Sequence, residues 1–105
     1  MKKGSAELLV LSLVEQRPRH GYEIGKLIET LSRGRLQFRI GSLYPILCRL
    51  EARGLLASRW VERAGERRRR YYRLTPLGRK SLNDQRGVWK SFVMTVNHVM
   101  QGRHV

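Results

Sequence analysis

The chain is short of nearly everything that catalysis or covalent stapling requires. It has one cysteine, Cys48, so neither an internal disulfide nor a tetrahedral thiolate site can form. A lone thiol suits a reducing cytoplasm. Cys48 reads as a spectator; the alternative, redox sensing, has only neighbouring Arg49 to stabilise a thiolate. Aspartate is represented once, by Asp84, and the sequence offers no paired-carboxylate site, no glycine-rich phosphate loop and no Ser/His/Asp set in plausible loops. An enzyme is therefore the first class set aside. His20, His98 and His104 share no ligand spacing with one another or with Cys48, so no metal and no cofactor is expected. No run approaches the roughly 20 apolar residues of a membrane span. The opening MKKGSAELLVLSLVEQRPRH begins like a secretion signal, but its apolar run is short, broken by Ser12, and lacks a small-residue cleavage site. A cytoplasmic location is the expectation.

What is abundant is positive charge. Lys and Arg number 22 against 8 acidic residues, a formal net charge of +14 that favours nucleic acid or an anionic membrane surface as partner. The 105 residues suit one domain, and 41% hydrophobic residues supply a modest core. Surface-to-volume scaling leaves little interior at this size, so a partner subunit covering further apolar area would help.

The elements follow from period and punctuation. Residues 5–16, SAELLVLSLVEQ, predict a helix capped by Ser5, apolar on most faces, and ended by Pro18. Residues 20–32 predict a second helix, with Ile24, Leu27, Ile28 and Leu31 inward, closing near Gly34. GSLYPILCRLEARGLL predicts a third, with Ser42 as cap, Pro45 in the first turn and Gly54 as stop. Leu43, Leu47 and Leu50 face inward there, Pro45, Arg49 and Ala52 point away, and Ser42 and Tyr44 lie on the flanks. Beyond Gly54 the pattern becomes extended. LLASRWVER and RRRYYRLT predict a two-stranded hairpin turning at residues 64–66, with Arg67, Arg68, Arg69 and Arg70 at the start of the return strand. Tyr72 and Leu74 belong on its core side. Thr75-Pro76 then starts a helix over about 76–101, on the order of 39 Å long. That length exceeds what a body of some 75 residues covers, so its apolar stripe needs another chain.

Three helices, a hairpin and a long helix make a mainly α fold with a small β-hairpin: a winged helix-turn-helix over 1–75 and a C-terminal dimerisation helix over 76–105. In that arrangement the third helix enters the major groove and the hairpin, or wing, lies on the adjacent backbone. Ser42, Tyr44 and Arg49 stand around a helix N-terminus able to accept phosphate, and the wing brings the arginine cluster. Each has a plainer reading. Ser42 can be only a cap, Tyr44 only packing, His20 only the start of helix 2, and Arg67–Arg70 a solvated strand edge. Leu82, Trp89, Phe92, Val93, Val96 and Met100 are expected in a dimer interface, with Trp89 and Phe92 as an alternative contact for a small aromatic ligand.

The segments HGYEIGKLIE, GSLYPILCRLEARGLL and RRYYRLTPLGRKSL also resemble, in order and spacing, those of PadR-type transcriptional regulators. The resemblance covers roughly 8–82. It implies a homodimeric winged-helix protein of bacteria or archaea that binds a palindromic double-stranded operator, commonly as a repressor, often relieved by a small aromatic compound. By position it places Ser42, Tyr44 and Pro45 in the reading head, His20 and Tyr22 at the start of helix 2, and the wing, with Arg63, at 63–70. Many relatives have a longer helical dimerisation domain; this chain resembles the short subgroup. A winged-helix RNA-binding or ribosome-associated basic protein is the rival reading, because net charge does not distinguish DNA from RNA. The apolar C-terminal helix discriminates, since a symmetric dimer matches a palindromic duplex.

Overall fold

A computed structural model describes residues 3–102. The elements run α1 (Lys3–Gln16), β1 (Arg19–His20), α2 (Gly21–Leu31), α3 (Ile40–Ala52), β2 (Leu56–Val61), β3 (Arg69–Leu74) and α4 (Pro76–Gln101). The sheet has three antiparallel strands in the order β1-β3-β2. No helix of the described residues is long and apolar enough to cross a membrane.

α1 is apolar around most of its circumference because neighbours cover it on several sides; Val10, Leu11 and Val14 are fully buried. Even Glu7 is buried on it, accepting from Arg53 at 2.7 and 3.2 Å. The helix begins at Lys3, so Ser5 lies inside its first turn and is not the cap. The third strand was not expected: Arg19 pairs with Tyr72 and His20 with Tyr71. Two residues after Pro18 carry no periodic signal, and only the tyrosine strand beside them reveals the pairing. Leu31, expected inward on α2, is 68% exposed, because the helix ends there beyond the edge of the body.

α2 and α3 end in the same way. In each, the second residue past the cap donates back five residues and the first donates back three: Gly34 to Glu29 and Arg33 to Thr30, then Leu55 to Leu50 and Gly54 to Glu51. This closure needs a left-handed residue just past the cap. Gly54 fills it at φ 77°, as the sequence indicated, whereas Arg33 fills it at φ 57° despite its Cβ.

The core joins the inward faces of α1, α2 and α3 to Leu56, Tyr72 and Leu82. Ile46, not among the expected inward residues, is buried beside Leu43, Leu47 and Leu50. Thr75 fixes the entry to α4. Its hydroxyl accepts from the Gly78 N–H at 2.9 Å and donates to the Gly54 carbonyl at 2.6 Å, tying α4 to the end of α3. Arg86 then holds α4 to α1 through Glu15, at 2.7 and 3.1 Å. Beyond that contact the residues of α4 are mostly exposed, and the molecule extends 64 × 30 × 21 Å.

Candidate nucleic-acid interface

Three structures converge on one side: the start of α2, the start of α3 and the wing. His20 caps α2, its Nδ1 accepting from the Glu23 N–H at 3.2 Å. That bond requires a neutral ring. Burial first, and then the Arg69 cation, push the imidazole below its ordinary value of 6.5, against the smaller opposing pull of Glu23. The ring meets Tyr71 edge-on at 5.3 Å. Tyr22 stands half exposed in the following turn, with Lys26 and Arg69 over its ring at 5.9 and 5.8 Å.

α3 begins earlier than the sequence suggested. Arg39 is the N-cap residue, without a side-chain cap, and its carbonyl accepts from Ser42 and Leu43 at 2.9 and 3.0 Å. Ser42 is therefore not the cap; it is exposed at the end of the first turn. Pro45 accordingly falls in the second turn and not the first. There it withholds a donor from the carbonyl of Gly41, a residue exposed near the helix end, so that the carbonyl has water as an alternative partner. Gly41, Ser42, Tyr44 and Pro45 form an exposed cluster around an N-terminus whose first N–H groups are open to an anion. Arg49 departs from expectation: it is half-buried, and its Nε has no hydrogen-bond partner among the described residues. The burial of Ile46 widens the inward arc of α3 and brings the Arg49 flank with it.

The wing is longer than a tight hairpin. β2 and β3 pair from Leu56–Leu74 to Val61–Arg69, leaving residues 62–68 as the connection. Its tip is a turn closed by Glu66 N–H to the Arg63 carbonyl at 3.0 Å, with Gly65 left-handed. Only Arg69 and Arg70 thus belong to the return strand; Arg67 and Arg68 are in the connection. Tyr72 is buried and Leu74 packs against the core, as the alternation required.

The arginines lie against aromatic rings. Arg68 is over Trp60 at 4.8 Å, Arg63 over Tyr71 at 5.9 Å, and Arg69 over Tyr22. Such contacts orient a guanidinium without neutralising it. Arg70 differs, because it donates to Ser58 at 2.7 Å and to Glu51 at 3.0 Å. Burial disfavours its charge, but Glu51 and the neighbouring Tyr72 and Tyr44 outweigh that and raise its pKa. A groove of about 280 Å³ opens between wing and helices, lined by His20, Tyr22, Ile40, Tyr44, Trp60 and Arg68 among others.

Trp60 was overlooked in the sequence, although its place opposite Arg70 follows from the hairpin register. Arg33, Arg35 and Arg39, all exposed, add positive charge to the segment between α2 and α3; their signal in the sequence is three arginines within the nine residues that precede Ser42.

A second surface lies on α4. Trp89, Phe92, Val93 and Met100 are exposed, Val96 is half-buried, and the Trp89 and Phe92 rings lie 6.1 Å apart. Val88 and Val99 extend the same stripe. Leu82 must be withdrawn from the expected interface: it is 0% exposed, because the first turns of α4 pack on the body of their own chain. Leu8, Val88, Trp89 and Phe92 line a largely apolar groove of about 420 Å³ between α1 and α4.

Comparison with known proteins agrees with this architecture. The chain is 33% identical to a Streptococcus mutans protein of known crystal structure, with a TM-score of 0.85 over 97% of this chain and 92% of that one. It is 35% identical to a PadR-like transcription factor from Bacteroides fragilis, with a TM-score of 0.77 over 92% and 91% of the two chains. A Mycobacterium tuberculosis transcriptional regulator is 40% identical over 70% of this chain, which spans 55% of that protein. Residues 10–84 match the transcriptional regulator PadR-like family, and the chain belongs to that family.

Proposed function

We propose that the chain acts as a homodimeric repressor, two copies pairing along α4 and placing two α3 helices in successive major grooves of a palindromic operator. The cytoplasmic nucleoid of a bacterium or archaeon is its place of action. DNA binding is the trait of the family. The observation that carries it is the exposed start of α3 beside a wing whose Arg63, Arg68 and Arg69 rest on aromatic rings. Aromatic support leaves these cations available to phosphates, while Ser42, Tyr44 and Pro45 stand where base edges would be met. The exposed α4 stripe supports pairing of two copies, and Trp89 with Phe92 offers an apolar contact for a small aromatic effector.

The test is a binding series on duplex DNA and on structured RNA over a range of salt. If the dimer neutralises roughly eight phosphates, log K falls against log[salt] with a slope near −7. Replacing both Arg68 and Arg69 by Ala should weaken binding to all duplexes and flatten that slope. An unchanged slope removes the wing from the mechanism, and a preference for RNA over duplex DNA replaces this reading with its rival.

A further inference from the structure

We propose that Glu51, Ser58 and Arg70 form a brace fixing the wing against the recognition helix, so that Arg70 is a positioning residue for sequence discrimination and not a phosphate contact. The inference rests on the DNA-binding reading above. The three side chains come from three elements: the last turn of α3, the middle of β2 and the start of β3. Each is bonded to the other two. Ser58 Oγ donates to Glu51 Oε2 at 2.5 Å and accepts from Arg70 Nε at 2.7 Å, while Arg70 Nη2 donates to Glu51 Oε1 at 3.0 Å. The Arg70 and Glu51 side chains are 33% and 29% exposed, so the ring is partly shielded from water and salt.

The geometry gives this ring a mechanical role. The outer half of the wing is a two-stranded ribbon, and β1 supports β3 only at Tyr71 and Tyr72. Its angle to α3 is therefore set at its base, where the ring ties both strands to the helix. α3 offers its N-terminal residues to base edges and the wing offers its arginines to phosphates. A base contact is made in register only when the distance between these two supports is fixed. Charge separates Arg70 from its neighbours too. The ion pairs among the described residues include Arg70 but none of Arg63, Arg67, Arg68 or Arg69. A guanidinium already matched by a carboxylate gains less from a phosphate than one that is not.

The test begins with a duplex recovered on the wild-type protein by repeated selection from a random-sequence library, compared with a shuffled duplex of the same length. Affinities for both are measured over a salt series for wild type, Arg70→Gln, Glu51→Gln, their double variant and Arg68→Ala, with thermal unfolding followed in parallel. Arg70→Gln and Glu51→Gln should each lower the selected-to-shuffled ratio by about tenfold, the effect of one lost charge-assisted bond. Their salt slopes should be no flatter than wild type, and the double variant should be no worse than either single one. Arg68→Ala should do the reverse, flattening the slope and keeping the ratio. A flattened slope with an intact ratio in Arg70→Gln, or losses that add in the double variant, would overturn the brace. Ser58→Ala removes the hydroxyl and keeps the ion pair; if the charge variants do not fold, its loss of ratio at unchanged slope carries the test. A wild-type protein that prefers no duplex over its shuffled partner would sink the DNA-binding reading itself, a result distinct from failure of the brace.

Discussion

At the scale of single residues, two helix ends show how local chemistry sets stability. His20 holds the first turn of α2 only while Nδ1 is unprotonated, and burial with the Arg69 cation lowers its pKa from 6.5. An unfolded chain takes up this proton near pH 6.5, the folded one only at lower pH. Between the two values the unfolded state binds more protons, so the stabilisation is complete above about 6.5 and is lost as pH falls through the folded value. Urea midpoints measured at pH 7.5 and 5.5 should therefore differ, the lower pH being less stable. His20→Asn, which caps without titrating in this range, should remove most of that difference, and His20→Ala should cost about 1 kcal/mol at the higher pH. Arg33 is the converse case, a side chain in a left-handed position. Arg33→Gly should stabilise the fold by about 0.5–1 kcal/mol, read as a higher urea midpoint with an unaltered slope.

Among elements, α4 is placed by a close approach that its sequence barely signals. A Cβ added to Gly78 would lie 2.0 Å from the Leu55 carbonyl oxygen and 2.8 Å from Leu74 Cδ1. The Leu55 carbonyl cannot retreat freely, because it accepts from the Thr75 N–H at 3.2 Å. Gly78→Ala should thus lift α4 off the end of α3 and cost about 3 kcal/mol. Gly87→Ala, on the same helix with nothing within 4 Å of the added Cβ, should instead stabilise by about 1 kcal/mol through helix propensity. Thermal unfolding of the pair separates packing from propensity, and a stable Gly78→Ala protein would contradict the close approach. The Thr75-Pro76 start and Gly54 stop were legible because caps act within a few residues. The start of α3 was not: Ser42 is a better intrinsic cap than Arg39, yet the helix begins three residues earlier. The third strand was hidden for a related reason, since two residues gain strand character only from the Tyr71–Tyr72 segment beside them. The same distinction divides the candidate interface. The wing arginines and the exposed α3 cluster follow from periodicity, but the bonds that bind Arg70 to Glu51 and Ser58 depend on how three elements meet.

For the whole molecule, the decisive feature is an apolar stripe that the body covers at one end only. On a helical projection of α4, Leu82, Trp89, Val93, Val96 and Met100 fall along one line, flanked by Phe92 and Val99. Leu82 is fully buried by its own chain, whereas Trp89 is 53% and Phe92 58% exposed. A stripe that continues past its own body is completed by a second copy when the matching segment of that copy runs alongside it. Trp89 is the largest side chain on the stripe and should carry much of the pairing energy. Trp89→Ala is accordingly expected to raise the dimer dissociation constant by about 30-fold or more, seen as monomer in a sedimentation dilution series where wild type stays dimeric. Because pairing and folding are linked, the wild-type unfolding temperature should rise with protein concentration and that of the variant should not. The same substitution should weaken binding to a palindromic duplex far more than to a half-site, since Trp89 lies outside the wing and α3 and the proposed link between two copies is what it would remove. Equal losses on both duplexes would mean that α4 contributes through the fold of one chain and not through its pairing.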